Sequence, residues 1–377
     1  MLTVAMVGMG WHSWLFREEM RALLGDISIL HPRIVYRDIG QEEISKLSGA
    51  ALLDEVLILG GHSMFPESPE LQDSLCRDIG EWAIHNFEEG DFAVRTRKIG
   101  ELPDTISSRS FEDKIGRVVS SDGIKVNLES PSNEIVIIIA GSNDGDTHPE
   151  PFEFEGTIVV WGLRVKDWSK ENFSGRSPTE RPYFKPISLE PRQARLLISL
   201  SRVPNREIKA VVDPFCGTGG IAIEAALQNI RALASDLDSR MVEGTKENLK
   251  WLGQECLVKK WDASELSTLW GKTEGCSFVF DPPYGRSSWR SVDSLDIFLS
   301  VLKEAKKIDS EGVVSTMLPA GPEALNSGNN DDIIVMGIKW SELLSRILEI
   351  GWKVHLFCPV RVHRSLVRAI VVCHPAD

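Results

Sequence analysis

The stretch with the clearest chemical potential is Asp281-Pro282-Pro283-Tyr284, which follows the apolar run 276–280. The apolar run predicts a short buried strand, and two prolines after it end sheet pairing and stiffen the turn. The turn combines a carboxylate, proline carbonyl oxygens and an aromatic ring. These groups suit a planar base with an exocyclic amine, because the oxygens can accept its N–H groups while the ring stacks. We therefore predict these four residues as catalytic, with an ordinary strand-to-loop turn as the alternative.

A glycine-rich turn, residues 213–220 (DPFCGTGG), lies between a predicted strand and a predicted helix. Glycine lets a ligand approach the backbone closely, and the N–H groups at the start of a helix are available for binding. The Gly-Lys-Ser/Thr sequence of a phosphate-binding loop is absent from this turn. Its first residue would repel a pyrophosphate but suits the ammonium group of S-adenosylmethionine (SAM). The candidate cofactor-binding residues of this turn are Asp213, Pro214, Cys216, Gly217 and Gly219.

Two more predicted strands end in acidic residues. Asp236 lies 19 residues after Gly217, the spacing expected for a carboxylate that accepts ribose hydroxyl groups. Asp262 and Ala263 follow the next strand, where a carboxylate can accept the amino group of adenine. Each aspartate alone could instead cap a helix. With the two carboxylates described above, four successive strands end in an acidic residue, which favours a SAM site over four separate caps.

Such residues converge only if their strands run side by side in one sheet. From about residue 208 the sequence alternates predicted strands and helices, which is typical of an α/β domain with a parallel sheet. Parallel strands end at one edge of the sheet, where open α/β sheets bind ligands. Two apolar runs, 352–359 and 366–373, predict a closing hairpin.

The N-terminal half predicts a different kind of surface. The run 92–99 alternates like a strand and carries Arg95, Arg97 and Lys98 without an acidic residue among them. Basic side chains on one face suit phosphate contacts, although a solvated face is the alternative. Residues 166–185 are polar, contain glycine and proline, and have no apolar periodicity, so we interpret them as a linker.

Length and composition set limits on the class of protein. A chain of 377 residues predicts two or three domains. We find no apolar run of membrane-spanning length and no secretory signal. The six cysteines are scattered, so we expect reduced thiols in a cytoplasmic protein without disulfides or a metal site. The net charge of −13, most of it in residues 1–185, requires any nucleic acid to bind local basic patches.

Several motifs together resemble one family. DPPY resembles the (Asp/Asn)-Pro-Pro-(Tyr/Phe) motif of methyltransferases that act on exocyclic amino groups of nucleobases. FAVRTRKIG and VNLESPSNEIVIIIAG resemble the THUMP domain of RNA-modifying enzymes, which grips the tRNA acceptor stem. Together with RPYFKPISLEPRQARLL, DPFCGTGGIAIEAAL, SDLD, WDASEL, DPPYGRSS and VHRSLVRAIVV, they make the chain similar to archaeal tRNA guanine-N2 methyltransferases that act on position 10.

The resemblance implies a domain order. It predicts a ferredoxin-like α+β domain over 1–65, a THUMP RNA-binding domain over 66–165, a linker over 166–185 and a methyltransferase domain over 186–377. The last domain is expected to have a Rossmann-like α/β sheet whose last strand is antiparallel.

The resemblance also implies a reaction, with SAM as cofactor, tRNA as partner, and N2-methyl- and N2,N2-dimethylguanosine at position 10 as products. Asp281 would accept an N2–H group while Tyr284 stacks on the guanine. Pro186 and Ser188 would close the methionine end of SAM. The expected RNA-binding residues are Arg95, Arg97, Lys98, Arg286 and Arg290. We expect a monomer, with a small activating subunit as a candidate partner.

Three alternatives stay open. A related THUMP family methylates guanine at position 6 and typically has asparagine in place of Asp281. A DNA amino-methyltransferase can share the same proline turn. A protein of another class, an RNA-binding protein with an inactive methyltransferase domain, would bind no SAM.

Overall fold

The computed structural model describes residues 1–142, 154–166, 168–186, 188–204, 206–283, 292–325, 333–363 and 366–376. The chain divides into two compact units. The first contains Met1–Ser48 and Leu52–Lys170, and the second contains Gly49–Ala51 and Glu171–Asp377. Each unit has its own β-sheet and its own buried apolar core.

The first unit has one mixed sheet. Its strands are β1 (Leu2–Gly8), β2 (Ser28–His31), β3 (Ile34–Ile39), β4 (Leu53–Met64), β5 (Phe92–Ile99), β6 (Asn133–Ala140) and β7 (Ile158–Arg164). Its helices are α1 (Ser13–Leu24), α2 (Gln41–Lys46), α3 (Pro69–Asn86) and α4 (Ser108–Ser121). Among the described residues, the strand order is β2-β3-β1-β4-β7-β6-β5. Only the pair β5–β6 of this described sheet is parallel.

The isoleucine-rich strand β6 explains why the sheet of the first unit has two cores. Successive side chains of a strand point to opposite faces. Ile135, Ile137 and Ile139 therefore join the core that contains α3 and α4 residues, while Val136 and Ile138 join the core on the other face. Because strands from 1–65 and from 66–165 share this sheet, for example β4 with β7, the boundary between residues 65 and 66 stays a prediction.

The second unit is built from alternating strands and helices. Its strands are β8 (Ala210–Asp213), β9 (Arg231–Asp236), β10 (Leu257–Lys260), β11 (Cys276–Phe280), β12 (Val313–Ala320), β13 (Ile334–Val335), β14 (Ile338–Lys339), β15 (Trp352–His363) and β16 (Leu366–Pro375). Its helices are α5 (Pro191–Leu200), α6 (Gly220–Ala226), α7 (Ser239–Trp251), α8 (Leu266–Trp270), α9 (Val292–Ile308) and α10 (Trp340–Glu349).

The sheet of the second unit matches the predicted α/β class. Strands β10, β9, β8, β11 and β12 are parallel neighbours in that order. β16 then pairs antiparallel with β12 and β15, which confirms the predicted hairpin and antiparallel last strand. The strand order reverses between β8 and β11, and open α/β sheets bind ligands at the carboxyl ends of strands at such a point.

Buried charges attach the start of the second unit to its core. Glu224 on α6 is fully buried and accepts hydrogen bonds from Arg176 at 2.7 Å and from Arg195 at 2.9 Å. Arg176 also pairs with Glu171 at 2.6 Å. Part of the segment predicted as a linker, from Glu171 onward, is thus packed within the second unit.

No helix within the described ranges is long and apolar enough to span a membrane.

Candidate active site

A cavity of about 730 Å³ lies at the carboxyl ends of the parallel strands of the second unit. Its volume is typical of small-molecule and cofactor sites. The predicted site residues that line it are Ser188, Asp213, Pro214, Cys216, Gly217, Asp236, Asp262, Ala263, Asp281, Pro282 and Pro283. Pro186 and Gly219 are described but lie outside this lining, and Tyr284 lies outside the described residues.

The glycine turn needs two left-handed residues. Gly217 has φ = 52° and Gly219 has φ = 87°, a region that favours glycine. A β-carbon at Gly219 would lie 2.8 Å from the Thr245 methyl carbon. The Thr245 hydroxyl also donates to the Gly217 carbonyl oxygen at 2.8 Å. Gly219 therefore acts by shaping the turn against α7 rather than by lining the cavity.

Asp213, at the end of β8, is a buried carboxylate. Its side chain is 2% exposed, and one oxygen accepts the Phe215 N–H at 3.0 Å. Burial raises the pKa of Asp213 well above 3.8, and the nearby Asp236 and Asp281 carboxylates raise it further. A ligand with a positive charge in this cavity would stabilise the ionised form of Asp213.

Asp236 connects the end of β9 to the glycine turn. Its two carboxylate oxygens accept the Asp238 N–H at 2.9 Å and the Gly217 N–H at 3.0 Å. Burial raises the pKa of Asp236, while these backbone hydrogen bonds lower it. A carboxylate has about four acceptor positions, so this arrangement is compatible with the predicted contact to ribose hydroxyl groups.

Asp262 caps a turn and also lines the cavity. It begins the 3₁₀ turn at Ala263–Glu265, and one oxygen accepts the Ser264 N–H at 2.9 Å and the Ser264 hydroxyl at 2.7 Å. The backbone hydrogen bond from Ser264 is the main reason that the pKa of Asp262 is lowered. The same aspartate lines the cavity, so capping does not remove it from the site.

Asp281 follows β11 and pairs with a residue that the sequence analysis did not single out. The Arg368 Nη1 atom donates to Asp281 Oδ2 at 2.9 Å, and both residues line the cavity. Burial raises the pKa of Asp281, and the charge and hydrogen bond of Arg368 oppose that shift. Of the two prolines that follow, Pro282 is buried and Pro283 is exposed.

The segment before α5 is fastened beside the glycine turn. The Thr218 hydroxyl donates to Ser188 Oγ at 2.8 Å. Asn248 on α7 accepts the Tyr183 N–H and donates to the Tyr183 and Thr218 carbonyl oxygens. Lys185, between these two attachments, lines the cavity.

Sequence reasoning missed several lining residues, among them Lys185, Leu237, Met241, Ile297 and Arg368. A signal for Arg368 was available. An antiparallel last strand begins at the edge where the parallel strands end, and Arg368 is a charged residue near the start of an apolar strand.

Two basic residues predicted to bind RNA are ion-paired within the first unit. Arg95 pairs with Glu134 at 3.3 Å. Arg97 pairs with Asp54 and, at 3.2 Å, with Glu55. These carboxylates come from the neighbouring strand β6 and from β4, so the stripe on β5 is partly neutralised. RNA contact by Arg95 and Arg97 stays a prediction.

The other three predicted RNA-binding residues are Lys98, Arg286 and Arg290. Lys98 is exposed, and its ammonium group donates to the Ile106 carbonyl oxygen. Arg286 and Arg290 lie outside the described residues.

The chemistry of the lining fits SAM. Its carboxylates outnumber its basic groups, Lys185 and Arg368, so it favours a ligand that carries positive charge. Leu237, 66% exposed, and Met241 add apolar surface beside Asp236 that a purine could cover. The same lining would disfavour a polyanionic nucleotide.

Comparisons with known proteins agree with this geometry. The family model of the RMKL-like methyltransferase domain matches residues 178–328. The chain is 31% identical to the tRNA (guanine(10)-N2)-dimethyltransferase of Methanothermobacter thermautotrophicus over 91% of this chain and 84% of that protein. It is also 31% identical to the enzyme of the same name from Pyrococcus abyssi, over 66% of this chain and 69% of that protein.

Among solved structures, TrmN from Thermus thermophilus has a similar fold. The TM-score is 0.51 with 18% sequence identity, over the full length of both chains. This likeness supports the fold class, and the two archaeal relatives define the family. The chain therefore belongs to the family of tRNA (guanine(10)-N2)-dimethyltransferases.

Proposed function

We propose that the protein transfers methyl groups from SAM to the exocyclic N2 amine of guanosine 10 in tRNA, giving N2-methyl- and then N2,N2-dimethylguanosine. One observation carries this proposal: Asp281 and its two prolines line the same cavity as Asp213 and Asp236. An acceptor for an amine thus shares one space with the carboxylates suited to SAM. The family supplies the choice of nucleic acid and position.

Five residues of the cavity would hold SAM, which supplies an electrophilic methyl group on a positively charged sulfur. Asp213 would bind the ammonium group, and the Gly217 backbone and Ser188 would surround the methionine part. Asp236 would accept the ribose hydroxyl groups. Asp262 would accept the adenine amino group.

Asp281 provides the electrostatic part of catalysis. The guanine amine is a weak nucleophile because its lone pair is delocalised into the ring. Asp281 accepts one N2–H, which aligns the lone pair and stabilises the positive charge that develops on nitrogen. SAM would supply a methyl group whose S–C electron pair stays on sulfur, and Asp281 or water would take the N2 proton that is released as the amine gains the methyl group. The monomethylated amine retains one N–H, so the same contact serves a second transfer.

The target base has to reach a cavity at the strand ends. A guanine stacked in an RNA helix would have to leave its stack to do so. Tyr284, next to Pro283, is the proposed stacking partner for the extruded base. Arg286 and Arg290 are the proposed contacts to flanking nucleotides.

Mass spectrometry of nucleosides tests the proposed reaction. Unmodified tRNA transcripts are incubated with protein and SAM, in parallel with the Asp281→Ala variant. We expect N2-methyl- and N2,N2-dimethylguanosine from the wild type and a loss of turnover of at least a hundredfold in Asp281→Ala, while SAM binding stays within about tenfold. Near-normal turnover of Asp281→Ala would contradict the mechanism.

Other products would separate the alternatives. Methylated adenine or cytosine in DNA, with none in tRNA, would support the DNA amino-methyltransferase. Absence of both SAM binding and product would support the RNA-binding protein with an inactive domain.

We propose a monomer that acts on tRNA in the cytoplasm and that can be assisted by a small activating subunit. Light scattering of the purified protein during size-exclusion chromatography tests the monomer, since a dimer would elute with twice the mass of one chain. Turnover well below that of related enzymes, restored by a second polypeptide, would support the subunit.

A further inference from the structure

Arg368 is a buried charge in an apolar strand. The whole residue is 7% exposed, while Val367, Ala369 and Ile370 beside it on β16 are 2% exposed or less. β16 lies between β12 and β15, with Arg368 opposite Pro319 on β12. A charged group in such surroundings is costly unless it is paired and hydrogen-bonded.

The partner of Arg368 is the proposed catalytic carboxylate. Arg368 Nη1 lies 2.9 Å from Asp281 Oδ2, and the two side chains are only 9% and 15% exposed. The contact joins the end of the central strand β11 to the beginning of the antiparallel strand β16. Because both residues also line the cavity, the pair is part of the site rather than a distant structural bridge.

The surroundings of Asp281 would otherwise favour its neutral form. Burial raises the pKa of Asp281, and Arg368 opposes this shift. The other charged groups of the described cavity lining are Asp213, Asp236, Asp238 and Asp262, with Lys185 as the second cation. An excess of carboxylates disfavours a further negative charge, and the Arg368 guanidinium, in direct contact with Asp281, opposes that effect.

The protonation state of Asp281 matters for the reaction. An ionised carboxylate can only accept a hydrogen bond, whereas a protonated carboxyl group carries an O–H donor. That donor could engage the N2 lone pair, which is the pair that has to attack the methyl group. A protonated Asp281 would therefore oppose the transfer that the ionised form assists.

We propose that Arg368 is a positioning residue that keeps Asp281 ionised and fixes the orientation of its carboxylate toward the amine. This inference rests on the function proposed above. Arg368 does not itself touch the reacting atoms. It acts through Asp281, so its loss should change the pH at which the enzyme works and not only the rate.

The test compares variants that separate charge from shape. Arg368→Gln keeps a hydrogen-bond donor without charge, Arg368→Met removes both, and Arg368→Lys keeps the charge. The single-turnover rate of methyl transfer to tRNA is measured from pH 5.5 to 9.5 with enzyme and SAM in excess. The acidic limb of the pH–rate profile is the range in which the rate falls as the pH is lowered. We expect this limb to shift to higher pH by about one to two units in Arg368→Gln and Arg368→Met, with the rate recovering toward high pH. Arg368→Lys should keep the limb near that of the wild type.

A matched control lies at the other end of β11. Arg206 pairs with the buried carboxylate of Asp309 at 2.8 Å, and Asp309 accepts the N–H of Cys276, the first residue of β11. The two ends of β11 are roughly 13 Å apart by strand geometry. Arg206→Met should reduce stability but leave the acidic limb unmoved.

A second readout needs no substrate. Carbon-13 NMR titration of labelled aspartate carboxyl groups follows Asp281 directly, with the signal assigned by its loss in Asp281→Asn. We expect its midpoint to rise by at least one pH unit in Arg368→Gln and to change little in Arg368→Lys.

The outcomes are distinguishable from failure of the proposed function. A wild-type protein that methylates no tRNA would contradict the function, and the NMR titration would still decide the role of Arg368. An unmoved limb in an active Arg368→Gln, or an unchanged Asp281 midpoint, would overturn the inference. If Arg368→Met fails to fold, the pH–rate profiles of Arg368→Gln and Arg368→Lys are compared instead. Equal profiles for these two variants would also overturn the inference.

Discussion

Asn248 on α7 binds both backbone polar groups of Tyr183. The Tyr183 N–H donates to Asn248 Oδ1 at 2.8 Å, and Asn248 Nδ2 donates to the Tyr183 carbonyl oxygen at 2.8 Å. The same amide nitrogen donates to the Thr218 carbonyl oxygen of the glycine turn at 2.9 Å. One fully buried side chain therefore connects the segment before α5, the helix α7 and the glycine turn.

Removal of this amide should weaken both folding and cofactor binding. Asn248→Ala leaves three backbone groups without that partner, so we expect a loss of about 2–4 kcal/mol in the free energy of unfolding. The dissociation constant for SAM should rise at least about tenfold, because Ser188 and the glycine turn lose their common support. Urea denaturation and calorimetry measure the two effects. Glu247→Ala, at the exposed neighbouring position, should change stability by less than about 0.5 kcal/mol, and equal effects of both variants would contradict the account.

The glycine turn should be more sensitive to a methyl group than another left-handed glycine. Gly219→Ala combines an unfavourable φ of 87° with a contact of 2.8 Å to Thr245. Gly253→Ala has a similar φ of 67° but no neighbouring atom within 4 Å. We expect a cost of about 1 kcal/mol for Gly253→Ala and at least about 2 kcal/mol for Gly219→Ala.

Binding separates the two glycine variants further. Of these two variants, only Gly219→Ala should weaken SAM binding in calorimetry, because Gly253 lies outside the turn beside the cavity. Unaltered SAM affinity in a folded Gly219→Ala protein would argue against the turn as the cofactor site.

Asp213 should make the stability of the ligand-free protein depend on pH. Burial raises the pKa of Asp213 above its ordinary value of 3.8. A group whose pKa is raised on folding contributes stability below the unfolded pKa, and that contribution is lost as the pH rises through the folded pKa. Asp213→Asn removes the charge but keeps an acceptor for the Phe215 N–H. The variant should therefore gain stability relative to the wild type as the pH rises above about 4, by up to about 1.4 kcal/mol per pH unit until Asp213 is ionised.

Denaturation of both proteins at pH 5, 6, 7 and 8 measures this difference. Addition of SAM should reverse it, because the ammonium group of SAM compensates the charge of Asp213 and not the neutral amide of the variant. Curves that stay parallel over this pH range would show that Asp213 is not the buried titrating group.

The sequence predicted the framework of the site because strand ends carry their own signals. Asp213, Asp236 and Asp281 each follow an apolar run, and parallel strands bring such positions to one edge. The structure places all three in one cavity. The alternation of strands and helices along the second unit likewise predicted that helices connect its parallel strands.

Contacts between distant strands could not be predicted in this way. The partners of Arg95 and Arg97 lie about 40 residues away in sequence. The charges along β5 alone therefore indicated a basic stripe, although carboxylates from β4 and β6 partly neutralise it in the folded sheet. Arg368 was not predicted as a site residue because its partner Asp281 lies 87 residues earlier in the sequence. The two residues meet only because β16 runs antiparallel to its neighbour β12.

The most direct test of the central claim uses two tRNA transcripts that differ at one nucleotide. Methyl transfer from labelled SAM is compared between a transcript with guanosine at position 10 and the same transcript with adenosine there, with position 6 left as guanosine in both. The account predicts N2-methyl- and N2,N2-dimethylguanosine from the first transcript and no labelled product from the second. Equal labelling of the two transcripts would contradict it, because the target guanosine would then lie elsewhere in the tRNA.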